Sequence, residues 1–289
     1  MRASETPALE RLTQWAAGHD QIRALVLESS RAVAQAPIDA LSDYDVLLIT
    51  PDLRPFIEDD AWLGAFGTPL ITLSDPLEEW GAESYIRMVL YEDHTKIDYI
   101  LCTVEVARQI AQRQKLPEFL DWGYRALLDK DGLTTGWPAP TRTAYIPTHP
   151  TEREYRALVE EFWWESTYVA KNLWRDELMA ASYSMDVVMR HDLLLRLLEW
   201  RSEIDRDWAW KPGAAGRGLK RALPPELWAE VEATWAGASS KEQWQALAAL
   251  TALFRRAARN VGAALGYPYP DELDRRVTAY LHAIQRMPR

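Results

Sequence analysis

The chain carries a single cysteine, Cys102, and no apolar run near the roughly 18 residues that a membrane span requires. One thiol permits neither an internal disulfide nor a multi-cysteine zinc site, so a reducing compartment, the cytoplasm, is expected. The five histidines, His19, His94, His149, His191 and His282, show no H-E-x-x-H spacing, and no zinc is expected. There is no G-x-x-x-x-G-K-[ST] loop and no G-x-S-x-G elbow, which argues against a P-loop NTPase and a serine hydrolase. Residues 1–10 lack the charged and then apolar plan of a secretory signal, so nothing is expected to export or anchor the protein. Positive charge is also in short supply. Lys plus Arg number 33 against 43 Asp plus Glu, a net charge of −10 in 289 residues. An acidic surface without a basic patch cannot neutralise phosphates along a duplex, so nucleic acid is an unfavoured partner, whereas a cationic small molecule is compatible.

What is present is enough apolar sequence, 48%, for two cores. Thr6-Pro7 followed by Leu9, Leu12, Trp15 and Ala16 reads as an amphipathic helix ending near Gly18. The period then changes. Residues Ile22–Glu28, Asp45–Thr50, Tyr85–Tyr91 and Lys96–Thr103 are short and rich in β-branched and aliphatic side chains, and the last two are joined by a polar connection of hairpin length. A sheet of at least four strands is predicted. Pro138, Pro140, Pro147 and Pro150 mark residues 137–150 as a linker, and beyond it the period is helical. Thr151 and Glu154 have capping-box spacing before an apolar stripe from Tyr155 to Leu173, and further helices are expected over about 177–206, 224–235, 239–265 and 271–286. The fold class is therefore α+β. A mixed-sheet domain over 1–140 precedes a helical domain over 141–289. Nine of the 14 Trp lie at or after Trp163, and most of these are expected to pack the helical core.

The chemistry-bearing stretch begins at Glu28-Ser29-Ser30-Arg31 and continues at Asp43-Tyr44-Asp45, which leads into Val46-Leu47-Leu48-Ile49. Residues i and i+2 of a strand share a face, so Asp43 and Asp45 can present both carboxylates to one point, a donor set that suits Mg²⁺. Asp98 interrupts the apolar run Ile97–Leu101, where an acid is expected to be paired or functional, and a neighbouring strand would bring it to the first two. Ser30 and Arg31, just after a strand, offer a hydroxyl, backbone amides and a guanidinium for phosphate oxygens.

These parts resemble the aminoglycoside 6-adenylyltransferases, a branch of the nucleotidyltransferase superfamily that modifies streptomycin. The matching stretches are SSR…SDYDVLLIT at 29–50, WLGAFG at 62–67, YED…KID at 91–98, LLDKDG at 127–132, EFWWESTYVAKNLWRDEL at 161–178 and LGYPYP at 265–270. The resemblance implies an N-terminal nucleotidyltransferase domain, a C-terminal helical substrate-binding domain, and transfer of AMP from Mg-ATP to a drug hydroxyl with release of pyrophosphate. Carried over by position, Asp43, Asp45 and Asp98 match the metal-binding acids, with Asp98 also the general base. Ser30 matches the signature serine. Ser29 and Arg31 flank it as ATP contacts, and Lys171 is a candidate triphosphate contact. Glu161 and Glu165, one helical turn apart, and the pair Asp176 and Glu177 are candidates for a cationic aminoglycoside or, equally, a solvated face. In three places the chain departs from the usual pattern. Ser29 stands where glycine precedes the signature serine, Glu28 adds a carboxylate beside the expected triphosphate, and His94 replaces a turn glycine. Two alternatives stay open: a nucleotidyltransferase with another acceptor, and a catalytically impaired ligand-binding homologue.

Overall fold

The computed structural model describes residues 7–288 apart from 35, 37, 78–83, 211, 212 and 236; Thr6, read above at the start of the first helix, lies outside them. The chain divides into two compact units, Met1–Ala144 and Tyr145–Arg289.

In the first unit, helix α1 (Pro7–Gly18) precedes strands β1 (Ala24–Glu28) and β2 (Tyr44–Thr50), the short helix α2 (Arg54–Ile57), and strands β3 (Pro69–Pro76), β4 (Ser84–Tyr91) and β5 (Lys96–Thr103). Helices α3 (Val104–Gln112) and α4 (Glu118–Asp121) and strand β6 (Tyr124–Asp129) complete it. The six strands form one mixed sheet in the order β3-β4-β5-β2-β1-β6, with β2 and β5 parallel and every other pair antiparallel. Alternation along the central strands sorts their side chains onto two faces. Leu25, Leu27, Val46, Leu48, Tyr99 and Leu101 pack with α1 and with Leu63 and Phe66 on one face. Ala24, Val26, Leu47, Ile49 and Cys102 pack with Val106, Ala107 and Ile110 of α3 and with Trp137 on the other.

The hairpin and the four anticipated strands are present, and β3 and β6 add two edges that the period did not reveal. Six of the eight residues of β3 are exposed, and it lacks the buried alternation that marks a half-buried strand. Trp137, at the start of the expected linker, is buried, and its indole Nε1 donates to the Ala107 carbonyl at 3.0 Å. Residues 141–144 are tied down as well. The buried Asp121 carboxylate accepts from the Thr141 amide at 2.6 Å, the Thr141 hydroxyl at 2.9 Å, and the Thr143 and Ala144 amides at 3.1 and 3.0 Å.

The second unit is helical: α5 (Glu152–Trp174), α6 (Leu178–Ser182), a π-helical segment Tyr183–Leu194, α7 (Leu195–Ile204), α8 (Leu219–Ala222), α9 (Pro225–Glu232), α10 (Ser240–Leu265) and α11 (Asp271–Arg286). The capping box read at Thr151 and Glu154 is formed, and a second one at Ser239 and Glu242 opens α10. Trp163 is fully buried, as is Phe162, which stacks on Phe254 at 3.5 Å between centroids. A polar network crosses this core. Arg255 holds Asp274 through two bonds of 2.6 and 2.7 Å, Tyr269 donates to Asp274 at 2.9 Å, and the Trp163 indole donates to the Tyr269 hydroxyl at 3.0 Å. No described helix is long and apolar enough to cross a membrane.

Candidate active site

The register of three adjacent strands aligns the acids. Glu28 of β1 is opposite Asp45 of β2, and Asp45 is opposite Asp98 of β5. Each acid continues the alternation of the α3 face: Ala24, Val26, then Glu28; Asp45, then Leu47 and Ile49; Asp98, then Ile100 and Cys102. The outcome is a row of three carboxyls at one end of the sheet, about one strand spacing (roughly 4.8 Å) from neighbour to neighbour. Asp43, two residues before Asp45, and Lys96, two before Asp98, extend the same face. The Lys96 ammonium bonds Asp43 Oδ2 at 2.7 Å and Asp98 Oδ2 at 2.8 Å.

Crowding and burial set the charge states. Burial, followed by repulsion from Asp98 and Asp43, pushes the Asp45 carboxyl up to about 6, against the opposing pull of Lys96 and the Ser29 hydroxyl. Burial also raises Asp98, with the Lys96 bond holding it partly back. Burial would lower Lys96, but its bonds to Asp43 and Asp98 outweigh this and raise it. Glu28, 2% exposed, has both carboxyl oxygens buried with no hydrogen-bond partner. Burial, with Asp45 and Asp98 nearby, drives its carboxyl well above the usual range, which disfavours its charged form.

In the turn after β1, Ser29–Ala32, the first amide is already taken. Ser29 adopts φ +61°, the left-handed conformation that favours glycine, and its amide already donates to the Gly123 carbonyl at 3.1 Å. Its hydroxyl goes to Asp45. The Arg31 Nε and Nη2 bond the Asp43 and Ser42 carbonyls at 2.9 and 2.7 Å, and the guanidinium lies 3.8 Å over the Tyr44 ring. Ser29 and Arg31 thus brace the Asp43–Asp45 segment, a role the sequence reading did not assign them. Of the signature residues, Ser30 is half-buried.

Hard carboxylate oxygens are the right chemistry for a divalent cation, and the buried Asp98 Oδ1, which has no hydrogen-bond partner, is a lone pair of the kind such an ion would satisfy. The acids are not drawn into a ready cage. Among the described residues, no three His, Cys, Asp or Glu side chains are grouped so as to hold a metal. Lys96 stands among them, and it was missed in the sequence although its spacing from Asp98 is the same i, i+2 spacing that singled out Asp43 and Asp45.

In the helical unit, Glu161 is exposed and Glu165 half-buried one turn along α5, followed on that side by Tyr168, with the Lys171 ammonium 4.2 Å from the Tyr168 ring centre. Asp176 and Glu177 are exposed at the turn beyond α5, with Asp176 at φ +65°. Several of the other motif stretches are structural. WLGAFG backs the β4–β5 hairpin: Tyr91 donates to the Leu63 carbonyl and pairs with the Tyr99 hydroxyl at 2.8 Å. Within LLDKDG, Asp129 accepts from the Leu133 and Thr134 amides. LGYPYP supplies Tyr269 to the buried network and Tyr267, whose hydroxyl donates to the Pro150 carbonyl at 2.8 Å.

Known proteins resemble this chain along most of its length. An aminoglycoside 6-adenylyltransferase of Bacillus subtilis (strain 168) is 30% identical over 287 residues, 97% of this chain and 98% of that protein. One of Campylobacter jejuni is 30% identical over 272 residues, 92% of this chain and 91% of that protein. The crystal structure of an aminoglycoside 6-adenyltransferase from Bacillus subtilis aligns over 98% of this chain and 100% of its own, with 27% identity and a TM-score of 0.49. The family model described as streptomycin adenylyltransferase matches residues 1–284. With the match running through both units, the chain belongs to the streptomycin adenylyltransferase family and is a nucleotidyltransferase.

Proposed function

We propose that the protein transfers the adenylyl group of Mg-ATP to a hydroxyl of an aminoglycoside, streptomycin first among them, and releases pyrophosphate. The observation that carries this reading is the in-register pair Asp45 and Asp98 on adjacent parallel strands, with Asp43 on the same face. In the reaction, the acceptor oxygen forms a bond to the α-phosphorus of ATP while the bond to the bridging oxygen breaks and pyrophosphate departs. Asp98 takes the hydroxyl proton, and its raised affinity for protons suits a base that must gain one. Asp43, Asp45 and Asp98 are the residues that would hold a divalent cation, whose chemistry is to neutralise phosphate charge and polarise the phosphoryl oxygens. Ser30 and Lys171 are the proposed triphosphate contacts. Ser29 and Arg31 act on ATP indirectly, by fixing the Asp43–Asp45 segment. Glu161, Glu165, Asp176 and Glu177 are the proposed partners of the drug's cationic groups.

The test is pyrophosphate release from Mg-ATP across a panel of aminoglycosides. Drug-dependent release is expected, and release that no aminoglycoside stimulates would overturn the assignment of the acceptor. Asp98→Asn is expected to lower kcat by at least about 100-fold, the lower bound of what a positioned base contributes, with a smaller change in the KM for ATP. Near-normal kcat in that variant would remove Asp98 from the role of base.

A further inference from the structure

We propose that Lys96 is a built-in cation of the acid row, occupying its Asp43–Asp98 side so that the site takes one divalent cation, on the Asp45–Asp98 side, in place of a pair. The inference rests on the adenylyl-transfer reading and sharpens it.

The argument starts from strand geometry. Lys96 and Asp98 are two residues apart on β5 and so share a face, and Asp43 bears the same relation to Asp45 at the start of β2. Because β2 and β5 are parallel neighbours with Tyr44 opposite Ile97 and Asp45 opposite Asp98, Asp43 falls near Lys96. The ammonium takes one oxygen from each acid, Asp43 Oδ2 and Asp98 Oδ2, at 2.7 and 2.8 Å. Its side chain is 35% exposed and that of Asp98 only 15%, so the pair is partly sheltered from solvent screening. The second oxygen of Asp98 is buried and lacks a hydrogen-bond partner, and the next acid in the row is Asp45.

Two divalent ions held about 3.5–4 Å apart need carboxylates that reach both. Here one oxygen each of Asp43 and Asp98 is already bonded to an ammonium. A second ion would have to displace a cation tethered by its own chain and held by two ion pairs.

The count of bound ions tests this. Mn²⁺ is titrated into the whole chain with α,β-methylene-ATP and followed by electron paramagnetic resonance, with Lys96→Met, Lys96→Gln and Lys96→Arg as variants. The expected result is one Mn²⁺ per wild-type and Lys96→Arg chain, with no Mn–Mn dipolar broadening, and two per chain for Lys96→Met and Lys96→Gln. A count of two with dipolar broadening on the wild type would overturn the inference without any variant. So would a single ion on a folded Lys96→Met or Lys96→Gln chain. Failure of the wild type to bind Mn²⁺ with the analogue would instead overturn the adenylyl-transfer reading, and the inference with it. That case is told apart by the drug-stimulated pyrophosphate assay, which does not depend on the ion count.

Discussion

Replacing Glu28 with methionine is expected to stabilise the metal-free protein. The position is 2% exposed, and both carboxyl oxygens are buried without a partner. Leaving a buried polar group unsatisfied costs about 1–3 kcal/mol. Methionine has the same chain length, no polar atom to desolvate and the flexibility to fill the space, so Glu28→Met should recover about that amount. With a urea m-value of about 2 kcal/mol/M, the midpoint should rise by about 0.5–1.5 M. The pH dependence provides an internal control. The folded-state pKa of Glu28 is raised above its unfolded value, near 4.5. Wild-type stability associated with this group is therefore fully present below pH 4.5 and is lost as pH rises toward the folded pKa. The advantage of Glu28→Met should grow between pH 5 and pH 8. Urea unfolding of both proteins in EDTA at the two pH values measures it. If the variant is destabilised by 1 kcal/mol or more, or if its advantage does not grow with pH, the carboxyl is satisfied in a way the structure does not display and the reasoning fails.

Gly262→Ala should destabilise the helical unit by about 1–3 kcal/mol in urea unfolding, because a Cβ there would lie 2.6 Å from the Tyr155 hydroxyl and 2.8 Å from the Tyr267 carbonyl oxygen. Arg255→Met leaves the Asp274 carboxylate, 3% exposed, without its cation and should cost about 3–5 kcal/mol by the same measurement. Asp121→Asn sets an amide against the Thr141, Thr143 and Ala144 donors and should cost about 2 kcal/mol. Burial opposes ionisation of Asp121, yet those bonds outweigh it and lower its pKa. The stability it contributes is therefore present above about pH 4 and lost as pH falls through the lowered value, and the wild type should approach the variant in acid.

Much of this was legible in the sequence because period-2 alternation and the i, i+2 rule are local. Asp43, Asp45 and Asp98 could be read from the apolar strands they interrupt or lead into, and the strand limits at Tyr85–Tyr91 and Lys96–Thr103 lie within a residue of those observed. What was not legible depends on non-local pairing. β3 is largely exposed and β6 alternates weakly, so neither carries a periodic signal. Which cation would meet Asp43 depended on β2 and β5 being parallel neighbours, which no spacing within either strand encodes. Arg31 read as a phosphate ligand because it follows the signature serine, whereas tertiary contacts direct its guanidinium to the Ser42 and Asp43 carbonyls. The departures were visible as letters and acquire meaning only with backbone angles: Ser29 at φ +61° and His94 at φ +69° each hold a conformation that glycine adopts without strain.

The matched register of β1, β2 and β5 has a consequence for insertions and deletions. The acid row depends on parity, since Glu28, Asp45 and Asp98 face α3 only while each is an even number of residues from the apolar partners that hold its strand in place. A residue gained or lost between Asp39 and Leu41, where the chain is exposed, leaves that parity intact. A residue inserted between Asp45 and Leu47, or between Asp98 and Ile100, would turn the acids to the opposite face while the apolar residues keep their places. Length variation among working homologues should therefore collect in the exposed segment before β2 and stop abruptly at Asp43, a boundary set by geometry rather than by the identity of any side chain.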